Sequence, residues 1–498
     1  MRTLLALFLS SFVILSSSFS APPNILLILA DDLGYNDLSC QGATKLKTPN
    51  IDRIAKEGTR FTDAHAPAAV CCPSRYGLMT GRYAWRRPLV TWASAGAPLL
   101  IEDGRLTVAS LLKKAGYATG IVGKWHLGYG TREKPVTWSD ELKPGPLECG
   151  FDYFFGHDNN RDLNVENHRV VGLEDGKRIP TKKELREGAK AVKLADGRKN
   201  AITLHEKALA YLDRQNGKQP FFLYYAPNNI HVPLSPTPRF RGSSECGVYG
   251  DFAQELDWSV GELLDLLDKK GLTQDTLVIF SADNGARYEL ATVKAGHRAN
   301  APLNGQKGDV WEGGHRVPFL VRWPGHVPAG RVCDQLVCLT DLMATFAALT
   351  GQNVPPGAGE DSVNALPAFL DQEDAKGLRQ HLIVQSLSAS LTAKKNRGPD
   401  ELWAVREGPW VLVRGQGAGH TTNKTFGDKE RYFRLHELGL TNSDFTADTE
   451  LKPNSPPQQL YNLDTDLGQT RNVFQEHPDI VARLNALFEK LAASQPSP

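Results

Sequence analysis

The chain has 498 residues, enough for two or three domains or for one large domain with an appendage. Its apolar content of 41% and charged content of 23% are ordinary for a soluble globular protein. A formal net charge of +1 excludes the large basic excess of a dedicated nucleic-acid binder, so partners are to be sought in a local pocket.

The chain opens MRTLLALFLSSFVILSSSFSA, a short basic start, an apolar run and a Ser-rich end. This pattern predicts a secretory signal peptide over 1–20, cleaved after Ser20. The run is short for a bilayer span and no later segment is apolar enough, so the mature chain is expected to be secreted or periplasmic, without a membrane span. NILLILA (24–30) predicts a buried strand, and PNIDRIAKEG predicts a helix with Asn50 as its candidate N-cap. VASLLKKAGY reads as a helix followed by the strand ATGIVG. AITLHEKALAYLDRQ is helical and precedes the strand PFFLYYA. The long amphipathic helix FAQELDWSVGELLDLLDKKG precedes the strand TLVIFSA. The alternation predicts an α/β fold, a largely parallel sheet sandwiched by helices.

The texture changes after about residue 350. GQNVPPGAGED is rich in Pro and Gly, and beyond it come the strand-like LWAVREGPWVLVRG and QQLYNLD and a terminal helix, DIVARLNALFEKLAA. The expected organisation is a catalytic domain over 21–375 and a smaller C-terminal α+β subdomain over 376–498. The sequon Asn423-Lys-Thr425 reads as a chance match. Seven cysteines (Cys40, Cys71, Cys72, Cys149, Cys246, Cys333 and Cys338) are an odd number and too sparse for a disulfide scaffold. The adjacent pair in AVCCPSRYGLMTGR (69–82) could be halves of two disulfides, a metal pair, or a nucleophile beside a bystander.

The polar residues at the ends of the apolar runs are more informative. NILLILA ends in Asp31-Asp32, ATGIVG in Lys124-Trp-His126, PFFLYYAPNNI in His231, and TLVIFSA in Asp283-Asn284. In an open parallel sheet ligands bind outside the carboxyl ends of the strands, so these groups are expected to share one crevice. Asp31, Asp32, Asp283 and Asn284 offer hard oxygen donors, which suit Ca²⁺ or Mg²⁺ better than zinc or copper. Lys124, His126, Arg75 and His231 beside such an ion would make a cationic pocket for a tetrahedral oxyanion. Phosphate and sulfate esters are the matching substrates.

These residues closely resemble the formylglycine-dependent (type I, arylsulfatase-like) sulfatases of the alkaline phosphatase superfamily. The matching stretches are LADDLGYND (29–37), TPNIDRIAKEG (48–58), CCPSRYGLMTGR (71–82), GYATGIVGKWHLG (116–128), GFDYFFG (150–156), HVP (231–233), TLVIFSADNG (276–285) and GQKGDVWEGGHRVPF (305–319). The resemblance implies an alkaline phosphatase-like fold and a sulfuric ester hydrolase acting on sulfate monoesters, and the expected export and the polar loops point to sulfated carbohydrates as substrates. It implies that a formylglycine-generating or sulfatase-maturing enzyme oxidises Cys71 to formylglycine (3-oxoalanine) during export, with Cys72 in the variable position. Asp31, Asp32, Asp283, Asn284 and the modified Cys71 would bind one Ca²⁺, with Mg²⁺ the second choice. Arg75 would hold the aldehyde hydrate, Lys124 and Lys307 would grip sulfate oxygens, His126 would act on the hydrate, and His231 would protonate the leaving alcohol. The hydrate would attack sulfur, and collapse of the sulfo-enzyme by C–O cleavage would regenerate the aldehyde, splitting one hard step into two.

The stretch HDNNRDLNVENHRV after GFDYFFG matches no family position, and Asn304 stands where an Arg is common. Residues 286–303 are expected to form a specificity loop. His157, Asp158, Asn159, Asn160, Arg161, His297 and Arg298 are the candidates for reading the group that carries the sulfate. The alternatives are a phosphodiesterase or phosphonate monoester hydrolase on the same fold, and a non-catalytic glycan-binding protein. A two-metal phosphatase needs additional ligands, usually including His, whereas this chain offers acidic ligands for one ion. A protein that had lost turnover would be expected to lack Cys71, Arg75 or one of the histidines, and all are present.

Overall fold

A computed structural model describes residues 22–87, 96–174, 177–180, 184, 187–190, 192–375, 377–386, 402–422 and 434–494. The expected signal peptide and the Asn423 sequon lie outside the described residues. No helix among the described residues is long and apolar enough to cross a membrane.

The strands of the first half are β1 (Asn24–Ala30), β2 (Thr59–Phe61), β3 (Ala64–His65), β4 (Ala118–Lys124), β5 (Tyr153–His157), β6 (Val165–Glu166), β7 (Arg169–Val170) and β8 (Phe221–Ala226). Then come β9 (Thr276–Ala282), β10 (Phe319–Arg322), β11 (Arg331–Cys333) and β12 (Val337–Cys338). Among the described residues ten of these form one sheet in the order β11-β2-β10-β9-β1-β8-β4-β5-β6-β7. Its centre, β9-β1-β8-β4-β5, is parallel throughout, and antiparallel pairings appear only towards the edges. Every residue of β1, β8 and β9 is buried. Strands covered on both faces read as continuous apolar runs, which is why NILLILA, FFLYYA and TLVIFSA show no alternation.

The covering helices form two groups. The segments 71–80, 108–114 and 342–349 contact one another, 248–269 contacts both 49–56 and 200–213, and members of both groups rest on β4. The helix Pro49–Lys56 is capped at Thr48 rather than at Asn50. Asn50 lies inside its first turn and donates from Nδ2 to Asp257 Oδ2 at 2.8 Å, so its side chain ties this helix to Val248–Lys269.

Residues beyond 380 form a separate antiparallel sheet of β13 (His381–Gln385), β14 (Trp403–Glu407), β15 (Trp410–Val413) and β16 (Gln459–Asn462), in that order. The helix Pro478–Ala493 packs on β14 and β15 through a small core of Val405, Leu412, Leu460, Leu484 and Phe488. On its other face this sheet shares apolar contacts with Tyr83, Val310 and Trp311. Arg406 of β14 also forms a two-pronged ion pair with Asp63, at 2.7 and 2.6 Å.

Candidate active site

Register brings the polar strand ends together. Ala30 pairs with Ala282, Ile28 with Tyr225, Gly123 with Ala226 and Lys124 with His157. Asp31-Asp32, Asp283-Asn284, Lys124 and the loop leading to His231 therefore leave the sheet at one edge. Asp32 and His126 sit at φ 62° and 56°, the sparsely populated left-handed region, at the points where the chain turns out of β1 and β4. Cys71 and Arg75 stand four residues apart in the helix Cys71–Thr80 and so share its site-facing side.

The contacts are dense. Lys124 Nζ lies 2.9 and 3.1 Å from the two oxygens of Asp31, and Lys307 Nζ lies 2.6 Å from Asp32 Oδ1. Arg75 donates Nε and NH2 to Asp283 Oδ2 at 3.0 and 2.7 Å and NH1 to the Lys124 carbonyl at 2.9 Å. Cys71 Sγ is 3.3 Å from His126 Nδ1, and His231 Nε2 is 3.8 Å from Asp32 Oδ2. His231 Nδ1 lies 2.6 Å from the carbonyl of Val232. A carbonyl can only accept, so Nδ1 carries a proton and Nε2 is the nitrogen free to exchange one.

Burial sets the electrostatics. It opposes charge on Asp31, but Lys124, His231 and Arg75 outweigh it and hold the carboxyl well below its usual range. Asp32 is lowered in the same way, chiefly by Lys307 and His231 against burial. Burial, then the facing charge of Asp31, pushes Asp283 up to about 8. His126 and His231 are each pushed down to about 3, by burial first and then by Lys124 and Lys307 respectively, so both rings rest neutral.

The donor set fits a divalent cation. One ligand atom each from Asp31, Cys71 and Asp283 lies within 4.8 Å of the others, and Asp32 groups similarly with Asp31 and His231. Asn284 donates Nδ2 to Asp32 Oδ1 at 2.8 Å, while its own Oδ1 is buried without a hydrogen-bond partner. An orphaned buried oxygen among carboxylates is what a hard cation would satisfy. A second group, His65, Glu312 and His315, does not fit one. Its histidines turn their Nδ1 atoms towards each other at 3.0 Å, whereas Glu312 lies nearer their Nε2 atoms, at 3.9 and 4.0 Å. Arg316 and Arg406 already supply cations to Glu312 and Asp63 there.

A cavity of about 740 Å³ opens from Asp31, Lys124 and His231. Its walls include His157, Asn159, Arg161, Asp162, Lys193 and Arg198, with Val232 and Pro233. His157 Nε2 is 2.6 Å from Asn228 Oδ1, behind the wall. Asp158 is buried beside His126 and accepts the Gly96 N–H at 3.2 Å; burial pushes its carboxyl up. Asn160 caps the local turn, its Oδ1 accepting the Asp162 N–H at 3.1 Å. His297 and Arg298 do not line the cavity. His297 Nε2 is 2.7 Å from Asp37 Oδ1, a carboxylate also bound by Tyr249, and the Arg298 carbonyl accepts from Asn36 at 3.1 Å. Asn228, Asp162, Lys193 and Arg198 are additions that the strand-end pattern did not single out. Asn228 had a signal, since it stands in the APNNIH run that leads to His231.

The model of the family described as Sulfatase matches residues 23–352. The chain belongs to the sulfatase family. It is 33% identical to an N-acetylgalactosamine-6-O-sulfatase of Bacteroides thetaiotaomicron, over 95% of this chain and 93% of that one. It is 36% identical to the human N-acetylgalactosamine-6-sulfatase, over 71% of this chain and 67% of that one. A solved 6S-sulf structure, from work on glycosaminoglycan metabolism by B. thetaiotaomicron, superposes with a TM-score of 0.79 at 32% identity. It covers 94% of this chain and 99% of that one. This sulfatase is thus a sulfuric ester hydrolase, on the mostly parallel sheet that the strand alternation predicts.

Proposed function

We propose that this sulfatase removes sulfate from a sulfated amino sugar, with N-acetylgalactosamine 6-sulfate units as the first candidates. The single observation behind this reading is the meeting of Cys71, His126, Lys124, Lys307 and His231 around Asp31 and Asp32, where a sugar-sized cavity opens at Lys124 and His231. The activities for which the relatives at 33% and 36% identity are named point to the same sugar.

In this reading residue 71 works as formylglycine, and Asp31, Asp32, Asp283 and Asn284 hold a Ca²⁺ ion with it. When present, the aldehyde hydrate supplies a hydroxyl nucleophile, and the ion lowers that hydroxyl's pKa and neutralises sulfate charge. The chain's own residues do the rest. Arg75 fixes Asp283 and the floor of the site through its paired donors. Lys124 and Lys307 place two ammonium groups where sulfate oxygens carry charge, and they act in a dry environment where such charges count most. His126, neutral and directed at residue 71, accepts a proton from its side chain. His231 would take a proton from solvent on Nε2 and pass it to the leaving oxygen. An incoming anion offsets the repulsion from Lys307 and so raises the proton affinity of that ring. His157 and Asn159 would line the sugar, and the leader-like N-terminus supports an exported location.

Three measurements test this reading. Sulfate release is measured from 6-sulfated N-acetylgalactosamine and from chondroitin oligosaccharides, beside phosphodiester controls. Mass spectrometry of the peptide spanning 60–75 asks for an aldehyde at 71. Calcium content is measured by elemental analysis. Turnover of phosphodiesters with no sulfate ester hydrolysed, or a residue 71 that is always a thiol in an active preparation, would overturn it.

A further inference from the structure

Arg161 sits at the wall of the cavity, and its three hydrogen bonds among the described residues all run to main-chain carbonyls of one loop. NH2 donates to His231 O at 2.8 Å and to Asn228 O at 3.4 Å, and NH1 donates to Pro233 O at 3.3 Å. The guanidinium thus occupies the inside of the turn that carries His231. The Val232 carbonyl, which the guanidinium does not engage, accepts from His231 Nδ1 at 2.6 Å. A planar fork of donors satisfies several carbonyls in one fixed geometry, which a single ammonium cannot do.

The same loop has a second anchor on its inner side. Ile230 N donates to Asp31 O at 2.6 Å, and Asp31 N donates to Asn229 O at 2.9 Å. Residues 229 and 230 are therefore tied to the strand end that holds the reaction centre, whereas the carbonyls of 231 and 233 are tied to the cavity wall by Arg161, beside the local bonds from His231 N to Asn228 O at 2.9 Å and from Ser235 Oγ to Pro233 O at 3.1 Å. Lys193 and Arg198, the neighbouring cations of the cavity, are each met by a carboxylate instead, Asp162 at 3.1 Å and Asp196 at 3.1 Å. Among the cavity's wall cations, the guanidinium of Arg161 is the one committed to backbone.

We infer that Arg161 is a positioning residue for His231, one that fixes which ring nitrogen carries the exchangeable proton and where it points. The proposal rests on the reading of His231 as the acid that protonates the leaving oxygen. Without the guanidinium, the His231 carbonyl loses its side-chain donor and those of 228 and 233 keep only their bonds within the loop, so the turn is released from the cavity wall. The imidazole then samples other rotamers and loses its fixed tautomer. The consequence is selective. A sugar alkoxide leaves poorly and needs the proton, whereas a nitrophenolate leaves well without it.

The test compares wild type, Arg161→Met, Arg161→Lys and His231→Ala as full-length, matured enzyme. Substrates are N-acetylgalactosamine 6-sulfate and para-nitrophenyl sulfate. Arg161→Met is expected to lower kcat for the sugar sulfate by about 100-fold, and for the aryl sulfate by less than about tenfold, the pattern of a lost general acid. Arg161→Lys should recover part of the sugar activity only. Equal losses on both substrates, or no loss on the sugar, overturn the assignment to Arg161. If His231→Ala itself treats the two substrates alike while sugar sulfate is still hydrolysed, the acid role of His231 has failed instead. A crystal structure of Arg161→Met decides without any substrate. A His231 ring that leaves Val232 O or occupies more than one rotamer supports the proposal, and a ring and loop that superpose on wild type overturn it.

Discussion

Arg75 and Asp283 are joined by two donors on one carboxylate oxygen, at 3.0 and 2.7 Å, with side chains that are 1% and 0% exposed. The pair spans 208 residues of sequence and clamps the helix that carries Cys71 onto the end of β9. Removing Arg75 leaves the buried Asp283 carboxyl and the Lys124 carbonyl short of donors, at a cost of about 1–3 kcal/mol for each group. Arg75→Gln is therefore expected to lower the thermal unfolding midpoint and to abolish sulfate release. Asp283→Asn, which keeps an acceptor for Arg75, should unfold at a higher temperature than Arg75→Gln. Differential scanning calorimetry of the two variants checks the order, and an Arg75→Gln protein as stable as wild type would contradict the clamp.

In the proposed ion site, Asp283 would make cation binding depend on pH. Its carboxyl is pushed up to about 8, first by burial and then by Asp31, from an ordinary value of 3.8. Between those values the folded chain keeps a proton that the unfolded chain has released. For this group, stability in the absence of a cation thus falls as pH rises from about 4 to about 8. A divalent ion replaces that proton with a stronger positive charge, so ion binding is favoured where the proton is easily lost. The rise in unfolding temperature on adding Ca²⁺ to chelator-treated protein should be larger at about pH 8 than at about pH 6. Equal shifts at both pH values would remove Asp283 from the ion's ligands.

How much of this was legible in the sequence depends on where each residue's partners lie. Asp31, Lys124 and Asp283 were readable because each ends an unbroken apolar strand, and parallel topology alone puts such ends at one edge. Lys307 follows no strand and entered only through the motif GQKGDVWEGGHRVPF. The backbone grip of Arg161 was not legible, since a side chain bonded to carbonyls about 70 residues away leaves no periodic trace. Nor was the burial of His297 against Asp37, a contact between segments 260 residues apart in what reads as a polar loop. Asn50 misled for a related reason. Its type suits an N-cap, but it lies two residues past Thr48, inside the first turn, where Asp257 on another helix engages it.

The C-terminal unit braces the loop that carries Lys307. Val310 N donates to Ala418 O at 2.7 Å, Thr421 N donates to Asp309 Oδ1 at 2.9 Å, and Thr421 Oγ1 donates to the other oxygen of Asp309. Asp309 also accepts the Gln306 N–H at 2.8 Å, so the turn around Lys307 closes on one buried carboxylate. Thr421→Val keeps the shape of the side chain and deletes the hydroxyl. Leaving that acceptor short of a donor costs about 1–3 kcal/mol. The variant should unfold earlier and release sulfate more slowly, although Thr421 does not line the cavity. Unchanged turnover in a destabilised protein would mean that the brace does not reach Lys307.

The two cysteines of AVCCPSR separate in the structure, and the separation predicts opposite mutant behaviour. Cys71 Sγ lies 3.3 Å from His126 Nδ1 and groups with Asp31 and Asp283. Cys72, the next residue of the same helix, points into the main apolar core. Neighbouring residues on a helix are about 100° apart, so one side chain meets the site and the other the packing. Cys71→Ala should fold and bind substrate but release no sulfate, because the side chain to be converted is gone. Cys72→Ala removes a small buried group and should cost about 1 kcal/mol by analogy with other core truncations, leaving turnover close to wild type. In Cys72→Ala the peptide mass should still report an aldehyde at 71. A preparation in which residue 72 is the one converted, or in which Cys71→Ala retains turnover, would dismantle the mechanism while leaving the fold untouched.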